Sequence, residues 1–136
     1  ALGGRKSSDT ERRVRAWVPA AVYVGLIFAV SSIHGSVFCV MTLKIFDKAA
    51  HMVEFTRLGL FLTIAIRGSL TEALRRHTLL FAVAAGVAVG VMDELYQLMV
   101  PGRAVEFLDW VADVIGIVVG STVAMLHYRR RDAARA

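Results

Sequence analysis

Three stretches of this chain hold residues whose types and spacing could do chemistry. The first contains Asp47, Lys48, His51 and Glu54, the second Asp93, Glu94 and Gln97, and the third Arg103, Asp109 and Asp113. An imidazole exchanges protons near neutral pH, so His51 is a candidate general base, with Asp47 or Glu54 one helical turn away to orient its ring. Glu94 and Asp109 are the other catalytic candidates. Glu94, Asp109 and Asp113 offer carboxylate oxygens to a divalent cation, the one cofactor these residue types suggest. Lys48 and Arg103 could grip a phosphate or a carboxylate. The candidate ligand-binding set is therefore Lys48, His51, Glu54, Glu94, Gln97, Arg103, Asp109 and Asp113. Taken singly, each has a plainer use. His51 could simply hydrogen-bond Asp47, Glu54 and Arg57 could form an i,i+3 ion pair, and Arg103 could tie two helices together. Asp93 could cap a helix end, and Glu106 fits a solvated loop charge. No nucleophile motif and no dedicated metal-ligand spacing separates binding from catalysis.

These groups are embedded in an apolar chain. Of its 136 residues 57% are hydrophobic and 20% charged, with a mean hydropathy of +0.60. Soluble domains carry about 45–50% apolar residues, so the composition favours an integral membrane protein of one domain. Four segments, 17–33, 47–66, 78–99 and 107–126, are long and apolar enough to span a bilayer as helices. The expected fold is all-α: a four-helix membrane bundle over 16–126, with a flexible basic tail at 1–15 and a second basic tail at 127–136. Residues 34–46 form a short connection on the non-cytoplasmic side. That connection holds Cys39, a lone cysteine that excludes an internal disulfide and is read as an apolar wall residue. Residues 67–77 form a basic polar loop in which Ser69 or Thr71 can cap the next helix, and Pro101-Gly102 forces a turn. A basic run before an apolar one also fits a signal peptide, but the later segments need lipid too and no small-x-small cleavage site follows.

The net charge of +5 gathers at the ends of the apolar segments. No base-stacking aromatics accompany it, so it reads as topology rather than nucleic-acid binding. Twelve basic residues fall on the face shared by both termini and the middle loop, against three (Lys44, Lys48, Arg103) on the other. The excess of Lys and Arg marks the cytoplasmic side, so both termini are expected there. At about 1.5 Å rise per residue, the polar positions of three helices then come within roughly 12 Å of the opposite, outer boundary. Asp47, His51, Glu54 and Leu58 form one stripe of a helix. Gly86, Gly90, Glu94 and Gln97 form another, and Asp109, Asp113, Gly116 and Gly120 a third. The glycines beneath allow close helix approach. The expectation is a bundle dry below and opening into an outward-facing polar pocket. Ionisable groups at such depth are expensive, and their convergence argues for a functional site.

Asp47-Lys48-x-x-His51-x-x-Glu54-Phe55, Asp93-Glu94-x-x-Gln97-x-x-x-Pro101-Gly102-Arg103 and Asp109-x-x-x-Asp113-x-x-Gly116-x-x-x-Gly120, with Ser31-Ser32 closing the first span, resemble the VanZ-like family. The resemblance covers about residues 16–126. It implies a small four-helix protein of the bacterial cytoplasmic membrane, in a family whose founding member is linked to resistance to the glycopeptide teicoplanin. Glu106 and Arg57 depart from the pattern, in place of a small polar and an apolar residue. The functional expectation is recognition of a cell-envelope ligand, such as a lipid-linked precursor or a glycopeptide. One alternative is an acid–base or metal-assisted enzyme acting on a lipid-linked envelope substrate. Another is a proton-coupled transporter subunit, which with four helices calls for a homodimer. The expected partners are thus the bilayer and an envelope ligand, with no nucleic acid.

Overall fold

The computed structural model describes residues 2–33, 44–69 and 71–135. Cys39 and most of the expected 34–46 connection lie outside the described residues. Within them the chain is helical, without strands: α1 Leu2–Arg15, α2 Val18–Ser31, α3 Lys44–Arg67, α4 Glu72–Arg76, α5 Thr78–Gln97 and α6 Phe107–Ala133. Four stretches of helix are long and apolar enough to cross a membrane: Thr10–Ser31, Phe46–Arg67, Thr78–Gln97 and Phe107–Ala133. The all-α membrane bundle is therefore present, and its four spans overlap those expected.

Three boundaries differ. Residues 2–15 form a helix rather than a flexible tail, because nothing there breaks one until Pro19. Proline lacks the N–H that would bond back into the preceding turn, so the chain loosens at Ala16–Trp17 before α2 continues. The 67–77 loop contains the single-turn helix α4, and neither Ser69 nor Thr71 caps it by a side-chain bond. Last, α6 runs on past residue 126 to Ala133. Arg67 there pairs with Asp132 and lies 4.8 Å over the Tyr128 ring, which fixes the extra turns to α3.

Helix α2 shows why the bundle sorts as it does. Val18, Val22, Leu26 and Val30 lie exposed on one stripe, while Ala20, Ile27 and Ser31 on the opposite stripe are buried. The exposed stripe suits acyl chains and the small residues suit neighbouring helices. The core consists of Phe55, Leu58, Leu62, Ala65 and Ile66 of α3 against Ala20, Ile27, Ala82 and Ile117. Helices α3 and α6 make the most intimate contact. A Cβ added to Gly116 would strike the carbonyl oxygen of Met52, and one added to Gly120 the carbonyl oxygen of Thr56. On the α3 side, a Cβ on Gly59 would stand 2.7 Å from the Ile117 carbonyl oxygen. Only hydrogen at these positions lets the two backbones meet. The α5–α6 turn carries Gly102 at φ 77°, a left-handed backbone that glycine adopts without strain.

Candidate functional site

One end of the bundle, here the polar end, brings together the start of α3, the end of α5 and the start of α6. It does so because α3 and α6 touch at Gly116, one turn along from Asp113, so side chains above the contact have no room to diverge. Asp93, Asp109 and Asp113 are buried with 1%, 4% and 1% exposure, and Glu94 with 6%. Phe55, Leu58 and Ile117 close the floor beneath them, each fully buried. Polar side chains of three helices thus lie above an apolar layer at this end.

Two linked clusters divide the site. In the first, the Lys48 ammonium donates to Asp109 Oδ1 at 2.6 Å and to Glu106 Oε2 at 2.7 Å. Glu106, read from the sequence as a solvated loop charge, keeps a partly exposed side chain but is bonded. It closes an ion triad with Lys48 and Asp109 across α3 and α6. Lys48, expected to hold a ligand, has these two carboxylates in hand. In the second cluster, His51 Nδ1 lies 2.9 Å from Asp113 Oδ1, a buried pair that fixes the imidazole plane. The ring is thus oriented by Asp113 from another helix, and neither Asp47 nor Glu54 makes that bond. Both of those side chains are half-buried on the flanks of the α3 stripe.

Helix α5 contributes the groups with the fewest partners. Gln97 Nε2 donates to Asp93 Oδ2 at 3.0 Å, so Gln97 braces an aspartate one turn back. Asp93 is accordingly part of the buried network and not an interface cap. Among the described residues, both Glu94 carboxylate oxygens, Asp93 Oδ1, Asp113 Oδ2 and the Trp110 indole N–H are buried without a hydrogen-bond partner. Native proteins satisfy nearly all buried polar atoms, so five at one locus mark a site built for something else.

Glu94 and Trp110 also line a cleft of about 460 Å³ between the ends of α5 and α6, walled mainly by Leu95, Leu98, Val105 and Phe107. Its walls are apolar and open: Leu98 is 66% and Phe107 72% exposed. The opening lies among exposed apolar side chains, beside the buried Glu94 carboxylate.

The remaining candidates sit apart. Arg103 lies at the end of α2, its Nε donating to the Ile33 carbonyl at 3.4 Å. Arg57 is exposed on α3, and among the described residues it forms no ion pair with Glu54. Donor atoms of His51, Glu94 and Asp113 lie within 4.8 Å of one another, as do those of Asp47, His51 and Asp109. Of the expected metal candidates, Glu94 and Asp113 thus fall in one group with His51, and Asp109 falls in the other. Trp110 went unassigned in the sequence, where Asp93 reads as a helix-end cap and Glu106 as a loop charge. The i,i+4 spacing of Asp93 to Gln97 and of Glu106 to Trp110 is the signal that could have found them.

The sequence model of the VanZ/LLP1 family matches residues 4–128, nearly the whole chain. No curated protein and no solved structure matches it.

Proposed function

Given that the chain belongs to the VanZ/LLP1 family and is a membrane protein with four spanning helices, we propose that it recognises a membrane-borne ligand of the bacterial envelope. The ligand is a lipid-linked precursor or a glycopeptide-type molecule. Its apolar part lies in the α5–α6 cleft and its polar group reaches Glu94. One observation carries this proposal: a carboxylate with both oxygens buried and unpartnered lines an open, largely apolar cleft, which we take to face lipid. Binding sites of this kind are largely apolar with a few fixed polar groups that set orientation. The basic residues at the opposite end support an orientation with both termini in the cytoplasm and the polar end outside, where envelope ligands are found.

The experiment is thermal melting of the detergent-purified protein with lipid-linked envelope precursors and with teicoplanin. A stabilising shift is expected from one of these ligands. It is expected to vanish in Leu98→Trp, which fills the cleft, and in Glu94→Gln. A protein whose melting responds to none of them would refute the proposal.

The buried His51–Asp113 pair favours a second proposal, acid–base catalysis on the same ligand. An imidazole held by a carboxylate on one nitrogen can take a proton on the other. Turnover of the stabilising ligand, lost in His51→Gln, would select catalysis. Binding without turnover would select recognition alone.

A further inference from the structure

The two clusters of the polar end differ in how their charge is met. Around Lys48, one ammonium serves Asp109 and Glu106 at 2.6 and 2.7 Å. Around His51, three acids converge and no lysine or arginine bonds to them among the described residues. Glu94 and Asp113 are 6% and 1% exposed, yet three of their four carboxylate oxygens have no donor. Asp93 adds a further unpartnered oxygen beside them. Buried carboxylates in that condition are strongly destabilising unless they take up a proton or a cation meets them.

From this we infer that His51, Glu94 and Asp113 hold one divalent transition-metal ion. The three residues come from α3, α5 and α6, and their donor atoms lie within 4.8 Å of one another. Zinc bonds of about 2.0–2.2 Å place the donors of one ion roughly 3–4 Å apart, so side-chain rotation alone brings them into range. His51 Nδ1 and Asp113 Oδ1, hydrogen-bonded at 2.9 Å, would give up the shared proton when the ion binds. An imidazole nitrogen in the set favours zinc, iron, nickel or copper over calcium and magnesium, which take oxygen donors. The alternative group, Asp47, His51 and Asp109, is weaker because Asp109 already accepts the Lys48 ammonium.

Three protein ligands leave a coordination position open. Glu94 reaches the α5–α6 cleft, so that position faces the polar group of whatever enters there. The ion also reverses the sign of the pocket: carboxylates alone repel a phosphate or carboxylate, whereas a bound dication attracts one. The metal site thus deepens the proposed recognition of an envelope ligand, rests on that pocket, and selects ligands with an anionic headgroup.

The test uses the full chain, without a polyhistidine tag, purified in detergent and stripped with a chelator. Zn²⁺ alone is titrated calorimetrically, with Mg²⁺ for comparison, and the bound ion's neighbours are read by X-ray absorption. One Zn²⁺ per chain is expected, with imidazole nitrogen in its shell. Glu94→Gln and Asp113→Asn should each weaken binding by more than about 100-fold, since losing groups outside the ligand shell already costs about 10- to 100-fold. Glu72→Gln, on exposed α4, should bind as the wild type does. No saturable uptake by the helical protein, equal uptake by all variants, or an all-oxygen shell would overturn the site. If the ligand variants fail to insert, the wild-type absorption spectrum still decides. Because Zn²⁺ is the only probe, its failure with the lipid-ligand melting shift intact removes the metal and keeps recognition. Zn²⁺ uptake with no ligand shift does the reverse.

Discussion

Replacing Gly120 by alanine tests whether the α3–α6 contact builds the site. The new methyl would collide with the Thr56 carbonyl oxygen, 2.8 Å from the carbonyl carbon and 3.1 Å from Thr56 Cα. These are backbone atoms of a buried helix, so no side chain can swing away. Carbon contacts settle near about 3.5–4.0 Å, which requires α3 and α6 to part by roughly 1 Å. Overpacking of this kind costs about 1–3 kcal/mol. The same separation stretches the His51–Asp113 contact beyond hydrogen-bonding range from its 2.9 Å, adding about 1 kcal/mol or more. Gly25→Ala is the control, because a Cβ there meets nothing within 4 Å. It should be neutral or gain up to about 1 kcal/mol from helix propensity. The expected gap between the two variants is therefore about 3 kcal/mol, measured by unfolding in a rising mole fraction of sodium dodecyl sulfate and followed by far-ultraviolet circular dichroism. Gly120→Ala as stable as Gly25→Ala would refute the claim that backbone contact at this seam sets the geometry above it.

Other outcomes follow from the same geometry. Lys48→Ala leaves Asp109 and Glu106 facing each other without their cation. It should cost about 2–4 kcal/mol, somewhat below the loss from a fully buried pair, because the Lys48 side chain keeps 30% exposure. Asp109→Asn in that background should recover more than half of the loss in the same unfolding assay, and strictly additive effects would argue against the triad. Tyr96→Phe removes the 2.8 Å hydrogen bond to Ser32 but keeps the ring edge-on to Phe28, so a loss of about 0.5–1.5 kcal/mol is expected. Ser32→Ala, which also loses the 2.6 Å bond to the Phe28 carbonyl, should cost at least as much, and a much larger effect in Tyr96→Phe would assign that hydroxyl another partner. With Cys39 replaced by serine, Ala104→Cys should react with a membrane-impermeant maleimide on intact cells and Ala73→Cys only after permeabilisation. The opposite pattern would invert the proposed orientation.

The four spans and the level of the polar residues were legible in the sequence, for a simple reason. Partition between lipid and water acts on whole segments, and helical rise converts residue number into depth. From those two facts His51, Glu94, Asp109 and Asp113 had to share one end of the bundle. The small residues at Gly116 and Gly120 likewise announced a close helix crossing, because only absent side chains permit one. Helix ends were less legible. Residues 2–15 and 127–133 are polar, and polarity by itself does not distinguish a solvated helix from a coil.

What the tertiary structure alone decided is who partners whom. Spacing along α3 made Asp47 and Glu54 the natural neighbours of His51, since residues three and four apart adjoin on a helix. The imidazole turns instead to Asp113, because Gly116 draws α6 against α3 and the facing helix becomes nearer than the next turn. Glu106 changes from a loop charge into a partner of Lys48 by the same approach, and Asp109 is committed to that lysine as well. Glu94 is left buried, without a hydrogen-bond partner, and beside an open apolar cleft. A linear sequence cannot express that residue's isolation, because it depends on distances to every other donor in the fold.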